Sequence, residues 1–355
     1  MAVAALPQFG VFLPIANGGW IISKTRPPID ASYALNRRVA KLAEKLDFDF
    51  ILSMAKWKGY GGETEHWHDS MESITLMSAL AEATEKIKVW CTLHTLVHNP
   101  AVAAKMAITL DHISGGRAGI NVVAGAYRGE FEQMGLWRDD LSHDDRYVLA
   151  REWLQIVKKL WAEDHVNYDG RFFQMKDCEM HPKPLSKPRP HIVCAGMSEV
   201  GMRFSAEEAD ACFIGGRDED EVAAVSRRAK AIAAETGNPL KTFAMYCIVP
   251  GDTDADAEAR AQSYIDGVDV EAVRGMMKSY GLLDDGRENS MVARSKQAFM
   301  SSKFVGSRET IAKQIVETIR HADLDGMMLI FPDFEADLKI FGEEILPAVR
   351  KELGR

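Results

Sequence analysis

The residues whose types suggest chemistry lie where apolar, strand-like runs end. Thr92 and His94 close one such run, and Asn121 stands inside another, "AGINVV". A buried amide costs free energy unless it finds partners, so Asn121 indicates a ligand contact, with an ordinary core asparagine as the alternative. Neutral donors such as the Asn121 amide and the Thr92 hydroxyl stabilise negative charge that develops on a bound oxygen atom.

A second candidate site is the strand-to-helix junction "CAGMSEVGM". Its small residues, Gly196, Ser198 and Gly201, leave backbone N–H groups free at a helix N-terminus, where a phosphate is favoured. A simple N-cap by Ser198 is the alternative. Arg146 and Tyr147 open the run "DRYVLAREWLQ" and offer a guanidinium and an aromatic wall. An apolar pocket with these groups suits a flat, uncharged, phosphorylated ring such as FMN.

Several common catalytic motifs are missing from the sequence. No GxGxxG follows the first strand, and neither GxxxxGK[ST] nor GxSxG occurs. A Rossmann nicotinamide site, a P-loop and a nucleophile elbow are therefore disfavoured. His66, His68 and Asp69 in "EHWHD" lack a recognisable metal-ligand spacing, so we predict no metal and interpret them as solvated loop residues.

Composition favours a protein that acts on small molecules. With 355 residues and 46% apolar content the chain can bury a large core, and its net charge of −9 disfavours nucleic acid or an anionic membrane as partner. The five cysteines lack CxxC spacing and are interpreted as buried, reduced thiols. No apolar run reaches the about 18 residues of a membrane span, and no signal peptide is recognisable, which predicts a cytoplasmic protein.

Short β-rich runs alternate with amphipathic helical runs from end to end, which is typical of parallel βα units. Eight units predict an α/β fold, a (β/α)8 TIM barrel with insertion loops, over a single domain of residues 1–355, rather than an open doubly wound sheet. Pro100 fits a first helical turn and Gly237 a helix end. The eight predicted strands are 9–14, 49–54, 87–93, 118–123, 191–196, 211–216, 243–250 and 326–332.

Three insertions interrupt this pattern. They are a polar loop at about 55–70, a hairpin with a proline-rich segment at about 165–190, and a charged excursion at about 252–305. Long insertions in a compact domain are usually functional. We interpret the last as a mobile lid, with a pair of solvated surface helices as the alternative.

Several segments together resemble the bacterial-luciferase-like flavin-dependent monooxygenases, in the branch of pyrimidine monooxygenase and riboflavin lyase. The resemblance covers nearly the whole chain. The segments that carry it are "NGGWIISKTRP", "DFDFILSM", "KGYGGETEHWHDSMESITLMSALA", "DHISGGRAGINVVAG", "EFEQMGLW" and "CAGMSEVGM".

The resemblance implies a luciferase-like (β/α)8 barrel that uses FMN, reduced by a separate NAD(P)H-dependent flavin reductase, and O2 as co-substrate. It also implies a homo-oligomer, either a dimer or a tetramer. The O2 pocket is implied at Leu52, Met54, Thr92 and Asn121, where apolar walls limit the loss of activated oxygen to water. FMN contacts are implied at Ala55, Lys56, Asn121, Glu130, Arg146, Tyr147 and Ser198.

The sequence departs from the uracil enzymes of this family at Ala124 and Ala126, where they carry a threonine and a tryptophan. Loss of the indole suggests a substrate larger than a pyrimidine, and the substrate-site residues are predicted to be Ala124, Ala126 and Tyr127. The preferred substrate is riboflavin, cleaved oxidatively to lumichrome and ribose; uracil and other aromatic or sulfur heterocycles follow. Filling of the space by Tyr127 is the alternative.

Two further functions remain open. Deazaflavin-dependent oxidoreductases share this barrel and transfer hydride without O2, although the O2-pocket residues argue against them. A flavin-binding protein without catalytic activity is disfavoured by the presence of Thr92, Asn121 and Glu130.

Overall fold

The structure is a computed structural model that describes residues 6–125, 127–280 and 295–354. Eight parallel strands form a closed barrel in the order β1-β2-β3-β4-β7-β8-β9-β11, and β11 returns to pair with β1. The (β/α)8 fold and all eight predicted strands are confirmed. The barrel strands are β1 (Gln8–Phe12), β2 (Phe50–Leu52), β3 (Lys88–His94), β4 (Ala118–Val123), β7 (His191–Cys194), β8 (Ala211–Ile214), β9 (Lys241–Pro250) and β11 (Gly326–Ile330).

Helices cover the outside of the barrel. The predicted helix ends are confirmed at two positions: Pro100 opens its helix after the cap Asn99, and Gly237 ends another with φ of 72°. The helices are α1 (Tyr33–Lys45), α2 (Ser73–Glu82), α3 (Pro100–Ile113), α4 (Arg128–Glu132), α5 (His143–Ala162), α6 (Glu199–Glu208), α7 (Glu219–Thr236), α8 (Asp254–Asp266), α9 (Val270–Ser279), α10 (Arg308–Ala322), α11 (Ala336–Ile340) and α12 (Leu346–Glu352), with a π-helical turn at Phe341–Ile345.

The insertions carry secondary structure of their own. Strands β5 (His165–Asp169) and β6 (Gln174–Glu179) form an antiparallel hairpin. The excursion at 252–305 contains α8 and α9 and ends in β10 (Ser302–Gly306), which pairs with β9 and was not predicted. Part of the expected lid, residues 281–294, lies outside the described residues. No helix in the described part of the chain is long and apolar enough to cross a membrane.

The strand register determines which side chains fill the barrel. Paired residues of neighbouring parallel strands point to the same side, so Gly10, Phe50, Trp90, Gly119 and Phe243 all face the interior. A Cβ atom at Gly10 or Gly119 would overlap the ring of Phe50 or Trp90. The glycines therefore make room for a plug of stacked rings, with Phe50 and Trp90 centroids 4.0 Å apart.

The cysteines are free thiols, and all but the half-buried Cys178 are buried. Burial raises the pKa of Cys91 and Cys247, which keeps these thiols protonated. This agrees with the prediction of reduced core cysteines.

Candidate active site

The predicted O2-pocket residues come together at the C-terminal end of the barrel. Thr92 pairs with Asn121 in the β3–β4 register, and both face the interior above the aromatic plug. Leu52 lies on the same side of β2, and Met54 follows that strand; both side chains are buried. The register thus brings Leu52, Thr92 and Asn121 to the inner side of three neighbouring strands, which is the arrangement that the predicted pocket requires.

A directional hydrogen-bond chain crosses this pocket. Asn121 Nδ2 donates to Thr92 Oγ1 at 3.1 Å, and Thr92 Oγ1 donates to the Ser53 carbonyl at 2.6 Å. The Thr92 proton is therefore already used, which corrects the expectation that this hydroxyl is a free donor. Ser53 itself points outward, where its Oγ lies 2.6 Å from Ser73 Oγ. Thr92 thus fixes the orientation of the Asn121 amide.

The Asn121 carbonyl oxygen is the unusual atom of the pocket. Asn121 is 7% exposed, and its Oδ1 is buried with no hydrogen-bond partner among the described residues. An unsatisfied buried acceptor costs about 1–3 kcal/mol. This atom can accept an N–H from a bound ring, while the second N–H of the same amide remains available to an oxygen atom.

A buried ion pair lies above the pocket. Lys56 Nζ is 3.1 Å from Glu130 Oε2, and the other carboxylate oxygen accepts the Trp57 backbone N–H at 2.5 Å. Burial lowers the pKa of Lys56, whereas the charge of Glu130 and its hydrogen bond oppose that shift. Glu130 therefore keeps a charged ammonium in a nearly water-free place.

Aromatic rings surround the Lys56 ammonium. Its Nζ is 4.6 Å from the ring centroid of Tyr60, 5.3 Å from that of Tyr127 and 5.9 Å from that of Trp67. Tyr280 completes the group, with its ring edge-on to Tyr127 at 4.2 Å and its hydroxyl 3.2 Å from that of Tyr60. Cation–π attraction adds to the stabilisation of the buried charge.

His94 connects the ion pair to the pocket. It lies two residues after Thr92 on the same side of β3, and its Nδ1 accepts the Trp57 indole N–H at 3.1 Å. Burial, followed by the nearby charges of His98 and Lys56, lowers the pKa of His94 to about 3. His94 is therefore a neutral acceptor that positions Trp57, and through it the loop that carries Lys56.

The residues of the predicted phosphate site lie at the start of α6. Ser198 caps this helix by accepting the Gly201 N–H at 3.2 Å. The Tyr147 hydroxyl reaches the same turn, since a Cβ built at Gly201 would lie 2.6 Å from the Tyr147 oxygen and 3.0 Å from Ser198 Oγ. A Cβ at Gly196 would lie 2.9 Å from the Tyr147 oxygen, so the glycine is needed for this approach. Hydroxyl groups and free backbone N–H groups thus converge at a helix N-terminus.

Arg146 is placed differently from its neighbour Tyr147. Its guanidinium lies over the Trp137 ring at 5.5 Å and donates to the Leu141 carbonyl at 3.2 Å. Its Nε is buried with no partner among the described residues. Arg146 thus has an unused donor, but its described contacts are with the 137–141 loop rather than with Ser198.

The remaining predicted site residues lie at the rim. Ala124 is buried at the end of β4, Ala55 is half-buried, and Tyr127 is half-buried beside Lys56. Ala126 lies outside the described residues. The Tyr127 ring contacts Lys56 Nζ at 5.3 Å and the Tyr280 ring at 4.2 Å.

The interpretation of His66 as a solvated loop residue is wrong. Its side chain is fully buried, it stacks on Trp67 at 5.3 Å, and burial lowers its pKa to about 3. His68 is exposed, as expected. Within the described ranges, one group with suitable spacing for a metal exists, the exposed His165, Asp177 and Glu179 on the hairpin, away from this site.

Sequence reasoning missed the aromatic residues around Lys56. Tyr60 and Trp67 belong to a glycine-rich loop without helical or strand periodicity, and Tyr280 is far away in the chain. The one available signal was the high aromatic content of "KWKGYGGETEHW". Their convergence depends on how the insertions fold back over the barrel.

The chain matches known proteins over nearly its full length. The sequence profile of the family described as luciferase-like monooxygenase matches residues 7–324. Pyrimidine monooxygenase RutA of Acinetobacter baylyi is 38% identical over 348 residues, which cover 96% of this chain and 94% of that protein. RutA of Caulobacter vibrioides is 36% identical and covers 98% and 99% of the two chains.

Solved structures show the same fold at lower identity. Riboflavin lyase RcaE, in complex with modified FMN and riboflavin, superposes with a TM-score of 0.85 at 22% identity, covering 98% of this chain and 92% of that one. An F420-dependent secondary alcohol dehydrogenase superposes with a TM-score of 0.73 at 19% identity, covering 97% and 99%. The profile match and the relatives above 30% identity together establish that the chain belongs to the luciferase-like monooxygenase family.

Proposed function

We propose that this protein is an FMN- and O2-dependent monooxygenase that opens a pyrimidine ring such as uracil and receives reduced FMN from a separate flavin reductase. The observation that carries the proposal is the buried Asn121 Oδ1, which has no hydrogen-bond partner among the described residues and belongs to an amide held by Thr92. The relatives named as pyrimidine monooxygenases support the substrate class. This reverses the sequence prediction, which placed riboflavin first.

The residues present fit FMN. Asn121 Oδ1 and Arg146 Nε are buried polar atoms without described partners, and Gly196, Ser198 and Tyr147 form a cradle with donors at a helix N-terminus. Asn121 would contact the ring system, and the cradle would hold the phosphate. Reduced FMN, when bound, would supply the electrons that activate O2.

The protein's own residues have separable roles in this proposal. Asn121, fixed by Thr92, offers one N–H to developing negative charge on oxygen. Leu52 and Met54 exclude water from that place. The Lys56 ammonium donates to a substrate carbonyl, and the surrounding rings of Tyr60 and Tyr127 provide flat apolar surfaces for a heterocycle.

Riboflavin is the second candidate substrate. The small, buried Ala124 supports it, because the family resemblance implies a threonine at this position in enzymes that act on uracil. The position of the Tyr127 ring supports the smaller pyrimidine, since it occupies part of the space at this rim.

One experiment separates these functions. The protein is incubated in air with FMN, NADH and a flavin reductase, and uracil and riboflavin are followed by mass spectrometry. We expect consumption of uracil and a ring-opened product that retains one oxygen atom of labelled O2. Lumichrome from riboflavin with uracil unchanged would overturn the substrate assignment. Hydride transfer with reduced deazaflavin, without oxygen incorporation, would overturn the monooxygenase assignment.

A further inference from the structure

A cavity of about 960 Å³ opens at the opposite, N-terminal end of the barrel. Its walls come from the starts of β3, β4, β7 and β9 and from the proline-rich segment that follows the β5–β6 hairpin. The ring plug of Phe50, Trp90 and Phe243 separates it from the candidate active site. The cavity is therefore a different site, and what it binds does not depend on the proposed function.

The strand register directs the side chains of Lys88, Lys241 and His191 into this N-terminal opening of the barrel. Lys88 lies two residues before Trp90, and Lys241 two residues before Phe243, so each points to the same side as a ring of the plug. His191 pairs with Gly119 and stacks on Trp90 at 4.9 Å. Lys88 and Lys241 start strands on different walls of the barrel and face the same opening.

The two lysines lack carboxylate partners. Among the described residues no carboxylate lies within ion-pair distance of Lys88 or Lys241, and Lys241 has one long hydrogen bond, to Gln8 at 3.4 Å. Nearby acids are already paired: Asp210 with Arg189 at 2.7 and 2.9 Å, and Asp325 with Lys230 at 3.1 Å.

The charge of the lining differs from that of the protein. Six Lys and Arg residues and two Asp residues line the cavity, although the chain has a net charge of −9. Withdrawal from water, and then repulsion by Lys241, lower the pKa of Lys88, which Asp49 opposes. Two ammonium groups that face one opening, with no carboxylate in ion-pair distance among the described residues, indicate a place for an anion.

His191 restricts which anion fits. Its Nδ1 is 3.3 Å from Asp210 Oδ2, so in the neutral ring Nδ1 carries the proton and Nε2 is an acceptor. Burial, opposed by Asp210, lowers the pKa of His191 to about 4, and Nε2 is buried with no partner among the described residues. An anion that also carries an O–H can satisfy this acceptor, whereas a fully deprotonated anion cannot.

We propose that the cavity at the N-terminal end of the barrel binds hydrogen phosphate. Two phosphate oxygens accept hydrogen bonds from Lys88 and Lys241, and the P–OH donates to His191 Nε2. Sulfate has the same size and charge but no proton at neutral pH, so it leaves Nε2 unsatisfied. The cavity is larger than one ion, so bound phosphate would keep part of its hydration.

Isothermal titration calorimetry at pH 7 and constant ionic strength tests the site, with excess FMN present so that the opposite cradle is filled. Inorganic phosphate should bind saturably at one site, and sulfate at least about tenfold more weakly, because one buried hydrogen bond is lost. Glycerol 3-phosphate in a parallel titration distinguishes a free phosphate from an ester: its dianion carries no P–OH and should bind about as weakly as sulfate, and binding tighter than that of phosphate would contradict the P–OH contact with His191 Nε2.

Variants of the lining residues test whether phosphate binds in this cavity. The double variant Lys88→Gln/Lys241→Gln should bind phosphate at least about tenfold more weakly, because two charge-assisted hydrogen bonds are lost. The single variant Lys88→Gln, at an exposed lysine, should show a smaller loss of affinity. His191→Phe keeps the stacking on Trp90 and should abolish the preference for phosphate over sulfate. Lys176→Gln/Lys339→Gln removes two exposed charges elsewhere and should bind like the parent. Absence of saturable binding, or equal affinity in the parent and the Lys88→Gln variants, overturns the proposal.

Discussion

Lys56 and Glu130 form an ion pair with an N–O distance of 3.1 Å, and only 4% and 1% of their side chains are exposed. Removing two charges from water is costly, and a geometry with further hydrogen bonds is needed to offset that cost. Here the Trp57 backbone N–H and three aromatic rings provide the additional contacts. The pair therefore fixes the 55–70 loop over the barrel mouth.

Glu130→Gln should lower the free energy of unfolding by about 3 kcal/mol, because it leaves the Lys56 ammonium buried without a counter-charge. Urea unfolding measures this change. The matched control is Glu132→Gln, which removes an exposed carboxylate of the same helix, 3.2 Å from Arg128, and should cost less than about 1 kcal/mol. Lys56→Met/Glu130→Gln should recover part of the loss. Equal effects at positions 130 and 132 would contradict a buried, coupled pair.

Ser198→Ala tests whether the start of α6 binds a phosphate or is merely capped. Ser307 caps α10 in the same way, by accepting the N–H three residues later. Both alanine variants should lose about 1 kcal/mol of stability. We expect FMN affinity, measured by fluorescence quenching, to fall several-fold in Ser198→Ala and to stay unchanged in Ser307→Ala. If Ser198→Ala loses stability but binds FMN like the parent, Ser198 is only a cap.

The Asn121 amide should matter more for turnover than the Thr92 hydroxyl that orients it. Asn121→Ala should lower kcat about 100-fold, the typical effect of losing one preorganised donor. Thr92→Val should lower kcat less, and Thr92→Ser should restore it, because serine can still donate to the Ser53 carbonyl and accept from Asn121.

Thr84→Val is the control for this series, since Thr84 is a buried threonine that donates to Leu80 on α2, outside the site. Oxygen-dependent turnover with the reductase present is the measurement. Equal kcat values in Thr92→Val, Thr92→Ser and the parent would show that Thr92 has no positioning role.

The sequence was sufficient to predict the barrel, and physical reasons explain this. Strand-like runs and helix starts such as Pro100 are local signals, and a polar Asn121 in an apolar strand is conspicuous. The Lys56 surroundings could not be found in this way, because Tyr60, Tyr127 and Tyr280 meet only after three loops fold together. His66 was misassigned because a polar neighbourhood in sequence does not reveal burial by Tyr60 and Trp67.

His94 should make the protein less stable in acid. Its pKa is about 3 in the folded state and 6.5 ordinarily, so between these values the unfolded chain binds a proton that the folded chain does not. Stability therefore rises with pH across this window, by about 1.4 kcal/mol per pH unit for this one group, is fully present above pH 6.5, and is lost as the pH falls toward 3.

His94→Gln isolates this contribution, because glutamine cannot titrate and its Oε1 can still accept the Trp57 indole N–H. Urea unfolding between pH 4 and pH 6 should show a slope lower than that of the parent by about 1.4 kcal/mol per pH unit. The exposed His181 supplies the control, since His181→Gln should leave the slope unchanged. An unaltered slope in His94→Gln would mean that His94 takes up its proton as readily in the folded chain as in the unfolded chain.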